Sequence, residues 1–534
     1  MSDRTGGRSA FVVGAGILIS RLVGLLRNTA FAYYFGATAA SDAYNAAFKI
    51  PNAVRNLLGE GTLSASFVPV YSRLLARGDE RGARALSNAV LGLLLLTVSV
   101  LTLVGIAAAP ILTPILAPGF EGATRDLTTR LTRVLFPMTG MMVISGWCLG
   151  VQNSHRRFFW SYASAALWSI AQIALLLVGG PRAADASTLA TWLAWATLAG
   201  AVLQVSAQLP EVLRLAGPLR PTIDRAAEGV MQTLRNVVPV VTALGVVQIS
   251  SFIDLQIASY LPEGAATNMN YANTLALLPV SLFGVSVAAA SLPEFSRDSG
   301  AMAMDALLER LRGGWQRILF YVVPSAAVFI AFGDYCVGML YRAGKFGATE
   351  EHVVHFVLAG FAVGLVSFGS VKLLASAFYA LQDYRTPLRA SIASIIVSAV
   401  ASVAMAYPLR NSPLGTAAIA LGTALGSYVN LAILSRGLHR RLGPLYTPAM
   451  WTGTRRIGIA AVVATALAWL VRLAHHAWYP ALHPRVAGVP VLATFALAYL
   501  VTAWLMGSNE AARWLRQAPR RTSASADGGA SGAR

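Results

Sequence analysis

Charge is what this 534-residue chain has least of: Asp, Glu, Lys and Arg make up 12% of it, roughly half the share usual in a soluble domain. Cysteine is nearly absent. Cys148 and Cys336 stand far apart in apolar stretches, which excludes a disulfide framework and a thiolate metal motif. The seven histidines, His475, His476 and His483 among them, show no ligand spacing, so no metal ligands are assigned. There is no GxxxxGK[ST] loop; Gly344–Lys345 is followed by Phe346 and lacks the upstream glycine. Nucleophile elbows and HExxH are missing too. The chain therefore reads as a transporter rather than an enzyme, with no catalytic residues and no cofactor; a coupling cation or the membrane potential would drive it.

What is present is apolar surface. Hydrophobic residues make up 56% of the chain, and the mean hydropathy is +0.59. Runs of about 20 such residues recur, each long enough to cross a hydrocarbon core as a helix. The runs are continuous rather than alternating, which argues against strands. The fold class expected is an all-α polytopic membrane protein with about 14 transmembrane helices. The spans fall at 10–35, 42–71, 86–116, 128–152, 158–180, 187–208, 234–260, 268–292, 315–341, 353–381, 387–407, 413–435, 456–474 and 487–507.

The net charge of +19 sits mostly in loops. Those at 73–84, 153–157, 209–235, 297–317, 383–389 and 436–456 are rich in Arg, whereas GATAAS after the first span has no basic residue. That alternation places both termini in the cytoplasm. The basic MSDRTGGRSA start precedes a long apolar run that contains charge, so a retained first helix is expected rather than a cleaved signal. The end, SASADGGASGAR, is disordered by composition.

The halves echo one another. FVPVYSR (67–73) resembles SLPEFSR (291–297), FEGAT (120–124) resembles FGAT (346–349), and VQNSHRRF (151–158) resembles LQDYRTPL (381–388), at an offset of about 225 residues. Two pseudo-repeated six-helix lobes follow, a common plan for secondary transporters. The organisation expected is an N-lobe over 1–208, a basic cytoplasmic linker over 209–233, a C-lobe over 234–440, a C-terminal helix pair over 441–507 and a disordered tail over 508–534.

Charged groups inside spans are costly and mark function or pairing. The first span carries Arg21 and Arg27, with Gly24 between them. In the second, Asp42, Asn45, Lys49, Asn52 and Asn56 follow spacings of three and four and make one polar face, flanked by Arg55 and Glu60 and interrupted by Pro51. The excess is cationic, and Arg suits planar capture of phosphate. One reading is a water-filled cavity for an anionic, phosphorylated substrate. The other is mutual neutralisation that braces the helices, with Arg21 and Arg55 snorkelling to an interface. In the second half, Asp254 is a candidate either for binding a coupling cation or proton or for pairing with a neighbour. Lys372 lies in the tenth span. Asp383 and Arg385, like Asn153 and Arg157, belong to turns.

The segment ISRLVGLLRNTAFAYYFGATAASDAYNAAFKIPNAVRNLLGEGTLSASFVPVYSRLL (19–75) resembles the opening of the MurJ (MviN) family of lipid II flippases. The SRxxGxxR core, the FKxPN turn and the EGxxSxxFVP run carry the likeness; LYRAGKF (340–346) and FYALQDYRTPL (378–388) resemble second-half motifs. The family belongs to the multidrug/oligosaccharidyl-lipid/polysaccharide exporter superfamily. The resemblance implies a fourteen-span flippase that moves the undecaprenyl-pyrophosphate-linked peptidoglycan precursor to the outer leaflet of the bacterial inner membrane by alternating access. Its partners would be lipid II, membrane lipids and cell-wall synthesis proteins, with no nucleic acid. Arg21, Arg27 and Arg55 match the family's cavity arginines, Asp42 and Lys49 its polar second helix, and Glu60 its EG motif. Asn45 and Asn52 join them as substrate-binding candidates through the shared face. The chain departs at YANTLALLP, where Thr274 and Leu277 replace an Arg and an acidic residue, and at Asn28, where many relatives have Asp. Another polyprenyl-linked glycan, a multidrug or cation antiport, and a non-transporting scaffold are the alternative readings.

Overall fold

A computed structural model describes residues 2–157, 159–288, 291, 294–295, 297, 303–478, 483–508, 510–512 and 514, with side chains from residue 19 onward except those of Glu60, Ala243, Val246 and Val247. The expected disordered tail lies outside the described residues from 515 on. The described helices are α1 (Ser2–Phe35), α2 (Ala39–Leu58), α3 (Glu60–Ser66), α4 (Val68–Ala76), α5 (Glu80–Leu116), α6 (Gly122–Ser154), α7 (Phe159–Gly179) and α8 (Ala186–Ala216). They continue as α9 (Val230–Ala258), α10 (Ala265–Pro279), α11 (Met304–Tyr341), α12 (Ala348–Ala380), α13 (Arg385–Ala406), α14 (Leu414–Leu442), α15 (Pro448–Trp478) and α16 (Pro484–Leu505). A π-helical segment, Val280–Val285, prolongs α10 beyond Pro279, where the missing proline N–H breaks the regular ladder.

Among the described residues, eleven helices are long and apolar enough to cross a membrane: α5 to α8, α10 with its extension, and α11 to α16. The molecule is an all-helical, multi-pass membrane protein. The three other expected spans also fall on helices, α1, α2 and α9. One boundary is corrected. The run expected at 42–71 is not continuous: α2 stops at Leu58, and α3 and α4 follow as short pieces. A Cβ at Gly59 would run into the carbonyl oxygen of Arg55, and Pro69 starts α4 anew.

The repeat survives at the level of elements. Helices α6 and α12 each have 33 residues, and their first and last residues are 226 positions apart, as are Ala39 of α2 and Ala265 of α10. Arg156 and Gln382, again 226 apart, are the non-glycine residues with positive φ among those described, both at 58°. Each follows a helix end closed by a 6→1 bond, Arg157 N–H to Gln152 O and Asp383 N–H to Phe378 O. The motif pairing VQNSHRRF with LQDYRTPL, 230 apart, is therefore out of register by four. SLPEFSR falls partly outside the described residues.

The chain divides into two compact units. The first comprises Met1–Asn270, Ala343–Glu350 and Arg410–Pro413. Within it α1 packs on α7, α2 on α6, and α8 on both α6 and α7. A buried amide ladder joins the last three helices: Gln204 donates to Ser145 at 2.8 Å, Ser145 to Gln208 at 3.0 Å, and Gln208 to Ser164 at 2.7 Å. Such bonds have no water to compete with in a bilayer. At one end of this unit four turns meet through glycines. A Cβ at Gly36 would lie 2.7 Å from Lys345 O, and one at Gly264 2.6 Å from Ala37 O. Gly344 faces Tyr33 O and Gly119 faces Ser259 O in the same way. Lys345 N–H donates to Tyr33 O at 2.9 Å and Gly119 N–H to Ser259 Oγ at 3.0 Å.

The second unit comprises Tyr271–Arg342, Glu351–Leu409 and Leu414–Arg534. Small residues bring its helices close: Gly422 and Gly426 of α14 lie against Ser402 and Ser394 of α13, and Gly360 of α12 against Ala417 and Ala420. Helices α15 and α16 pack on one another and on α11. Helix α11 is broken at Phe332, with φ −133° and ψ 21°. The carbonyl of Ile330 meets His355 Nε2 at 3.1 Å, and that of Ala331 accepts from Arg472 at 2.9 Å. Two side chains from other helices thus serve carbonyls beside the break.

Candidate functional site

All the residues singled out as binding or coupling candidates lie in the first unit. On α1, Arg21 is exposed and Arg27 half-buried. A Cβ at Gly24, between them, would meet nothing within 4 Å, so this stretch of α1 borders open space. Arg27 folds onto its neighbour: Asn28 Oδ1 accepts from Nε at 3.3 Å and from a terminal nitrogen at 2.9 Å. Its guanidinium carbon stands 4.9 Å from the ring centre of Trp168 on α7.

Trp168 is held in turn. Its Nε1–H donates to Thr197 O of α8 at 3.2 Å, and Phe48 of α2 stacks on it with ring centres 6.0 Å apart. The hydroxyls of Thr197 and Tyr44 are 2.7 Å apart, and Tyr44 leans on Phe31 of α1. The first four helices of the argument, α1, α2, α7 and α8, thus converge on one aromatic cluster beneath Arg27.

The polar face of α2 divides into an upper bonded part and a lower cationic part. Thr38 and Ser41 form a capping box at its start. Asp42, only 3% exposed, accepts from Gly264 N–H at 2.7 Å and from Thr267 N–H at 2.8 Å and hydroxyl at 2.6 Å. These donors open α10, so Asp42 caps a helix other than its own, where a carboxylate meets unpaired N–H groups and the favourable end of the helix dipole. Asn45 donates to Thr267 Oγ1 at 3.0 Å and accepts from Asn270 at 3.1 Å. One turn further, Lys49 has the Asp254 carboxylate of α9 as its charged neighbour. Asn52, Arg55 and Asn56 follow, all half-buried. The side chain of Glu60, at the start of α3, lies outside the described residues.

In the second unit, Lys372 is exposed on α12, while Thr274 is half-buried and Leu277 exposed on α10. That unit's own ion pairs are Asp334–Arg472 at 2.8 Å and Arg342–Glu351 at 3.4 Å. Neither stood out in the sequence. Asp334 and Arg472 are 138 positions apart with no shared motif. Trp168 and Thr267 were missed as well: an indole or a hydroxyl in an apolar helix carries no periodic signal.

A family model described as lipid II flippase MurJ matches residues 31–487. The lipid II flippase MurJ of Burkholderia cenocepacia is 31% identical over 517 residues, which span 94% of this chain and 97% of that protein. Among solved structures, a lipid II flippase MurJ in an inward closed conformation is similar with a TM-score of 0.76 at 19% identity, covering 93% of this chain and 98% of that one. An inward-facing multidrug resistance MATE transporter of the MOP superfamily is similar at 0.64 and 17% identity, covering 82% of this chain and 98% of that one. At such identities these two likenesses speak for the fold alone.

Proposed function

The chain belongs to the MurJ lipid II flippase family, and from that premise we propose how it carries lipid II from the cytoplasmic to the outer leaflet of the bacterial inner membrane. It is a transporter, and its motifs contain no ATPase. The substrate has an apolar polyprenyl tail and a pyrophosphate-linked glycopeptide head. The observation that carries the site assignment is Arg27, a half-buried guanidinium on an apolar helix bordering open space, oriented by Asn28 and Trp168. Arg27 and Arg21 receive the pyrophosphate, whose charge a low-dielectric surround makes costly to leave bare. Arg55 and Asn52 extend the same face of α2, with Glu60 at its end. Helices α15 and α16 border the path of the tail.

Lys49 and Asp254 form a charge pair that a coupling cation or proton would break by competing for the carboxylate. Asp42 and Asn45 serve movement rather than substrate contact. Their bonds to Gly264, Thr267 and Asn270 seat α10 against α2, on the periplasmic side if both termini are cytoplasmic. In alternating access between two lobes, that seal opens as the site turns outward. Membrane lipids surround the protein, and cell-wall synthesis proteins are its expected neighbours.

A second reading, another polyprenyl-linked glycan as cargo, is favoured by Thr274, which offers a hydroxyl where the family pattern has Arg. Both are tested by depleting the native flippase of a bacterial host, expressing this chain and measuring lipid II exposed on the outer leaflet. Rescue lost in Arg27→Ala is the expected result. A well-accumulated protein without rescue would transfer the proposal to the second cargo.

A further inference from the structure

The two printed neighbours of the Arg27 guanidinium are both uncharged. Asn28 supplies an amide oxygen, which accepts without neutralising. Trp168 supplies a π-face, which attracts a cation through its quadrupole. A carboxylate in either place would orient the guanidinium equally well, but would cancel the charge that a phosphate group needs. Lys49 shows the contrast, for its neighbour is the Asp254 carboxylate.

The indole plane is fixed from three helices. Its N–H is committed to Thr197 O, Phe48 lies 24° from parallel to it, and Gly200 admits the α8 backbone so closely that a Cβ there would sit 2.9 Å from Trp168 O. Arg27 is thereby referenced to α2, α7 and α8 as well as to its own helix.

We propose that Asn28 and Trp168 are positioning residues for flipping: they aim the planar fork of Arg27 at the pyrophosphate while leaving its charge undiminished by either of them. This rests on the reading of Arg27 as a phosphate contact. Asn28→Asp adds a negative charge within bonding distance of Arg27 and should weaken lipid II binding. Trp168→Leu removes the stacking face; Trp168→Phe restores part of it. Arg27→Lys keeps a point charge but loses the plane and the fork.

The test is lipid II binding to the purified full-length protein in nanodiscs, with thermal unfolding of each variant recorded alongside. Arg27→Ala, Arg27→Lys, Asn28→Asp and Trp168→Leu should each weaken binding by about 5-fold or more, and Trp168→Phe should lie between Trp168→Leu and the parent. In the Arg27→Ala background Asn28→Asp should cost nothing further, because its effect runs through Arg27. A purely structural role would give additive losses that follow the unfolding temperature. If Arg27→Ala weakens binding while Asn28→Asp and Arg27→Lys bind as the parent does, positioning is overturned, whether or not Trp168→Leu accumulates. A full further loss from Asn28→Asp in the Arg27→Ala background overturns it too. If Arg27→Ala itself binds as the parent does, the underlying phosphate-contact reading fails, and the positioning role with it.

Discussion

Asp42 shows how one side chain ties three segments. Its carboxylate takes three hydrogen bonds from Gly264 and Thr267. Asp42→Asn keeps the shape but loses the charge-assisted part, a loss of about 1–2 kcal/mol. The unfolding temperature in detergent should fall by several degrees, and an unchanged value would mean that the cap adds nothing to stability. Asp383, in the turn between α12 and α13, caps α13: it accepts from Arg385 N–H and Thr386 N–H, both at 3.0 Å, from the Thr386 hydroxyl at 2.6 Å and from Arg441. Partial burial pushes its carboxyl up, but the bonds from Thr386, with Arg441 and Arg385, outweigh that and hold it below the ordinary carboxylate range. A lowered native value means full stabilisation at neutral pH, lost as pH falls from about 4 downward. Asp383→Asn should flatten that acid-side decline and lower stability at pH 7 by about 1 kcal/mol; parallel pH curves for variant and parent would contradict this. Residues of this kind were half legible. Acid or amide at a turn is a readable capping signal, as with Asp383 and Asn153, whereas the partner of Asp42 lies 225 positions away and local spacing says nothing of it.

Helix α11 carries the clearest tertiary override of a sequence pattern. The run 315–341 reads as unbroken, and its proline, Pro324, is eight residues from the actual break at Phe332. What sustains the break is supplied from elsewhere. Arg472 of α15 serves Ala331 O, pairs with Asp334, and lies over Tyr335 and Trp469. Arg472→Ala leaves a carboxylate and a carbonyl short of a donor and should destabilise the protein by roughly 2–4 kcal/mol. Hydrogen exchange at the amides just after Phe332 should rise in that variant; protection equal to the parent would show that the break stands without its clamp. The boundaries of α2 to α4 were illegible for a related reason. Gly59 and Pro69 were visible, but an apolar run alone does not say whether a glycine is tolerated inside a helix or ends it.

At the scale of the whole molecule, hydropathy did most of the reading. A bilayer forces backbone groups to bond within their own segment, so apolar runs of the right length become helices with little room for another outcome, and all fourteen did over their described residues. The repeat was legible through short motifs, yet its register came from backbone geometry: the turns at Arg156 and Gln382 align where the letters do not. The cationic character of the binding face was readable from composition, because charge inside a span is rare. Its division into bonded and open parts was not, since that depends on which helix lies opposite.

The glycine contacts among the four turns of the first unit bear on how the protein can be handled. Connecting segments are ordinarily where a chain accepts an inserted peptide, and reporters of membrane sidedness are routinely placed there. Here a single methyl at Gly36, Gly119, Gly264 or Gly344 already meets a neighbouring carbonyl, whereas 181, 182, 184 and 185 are open to solvent. An epitope tag at 182 should leave accumulation near that of the untagged chain, and the same tag at 344 should abolish it, as an immunoblot of membranes would read. A sidedness reporter placed at those four glycines would therefore report its own damage, and the tolerant turn is the one from which orientation can be learned.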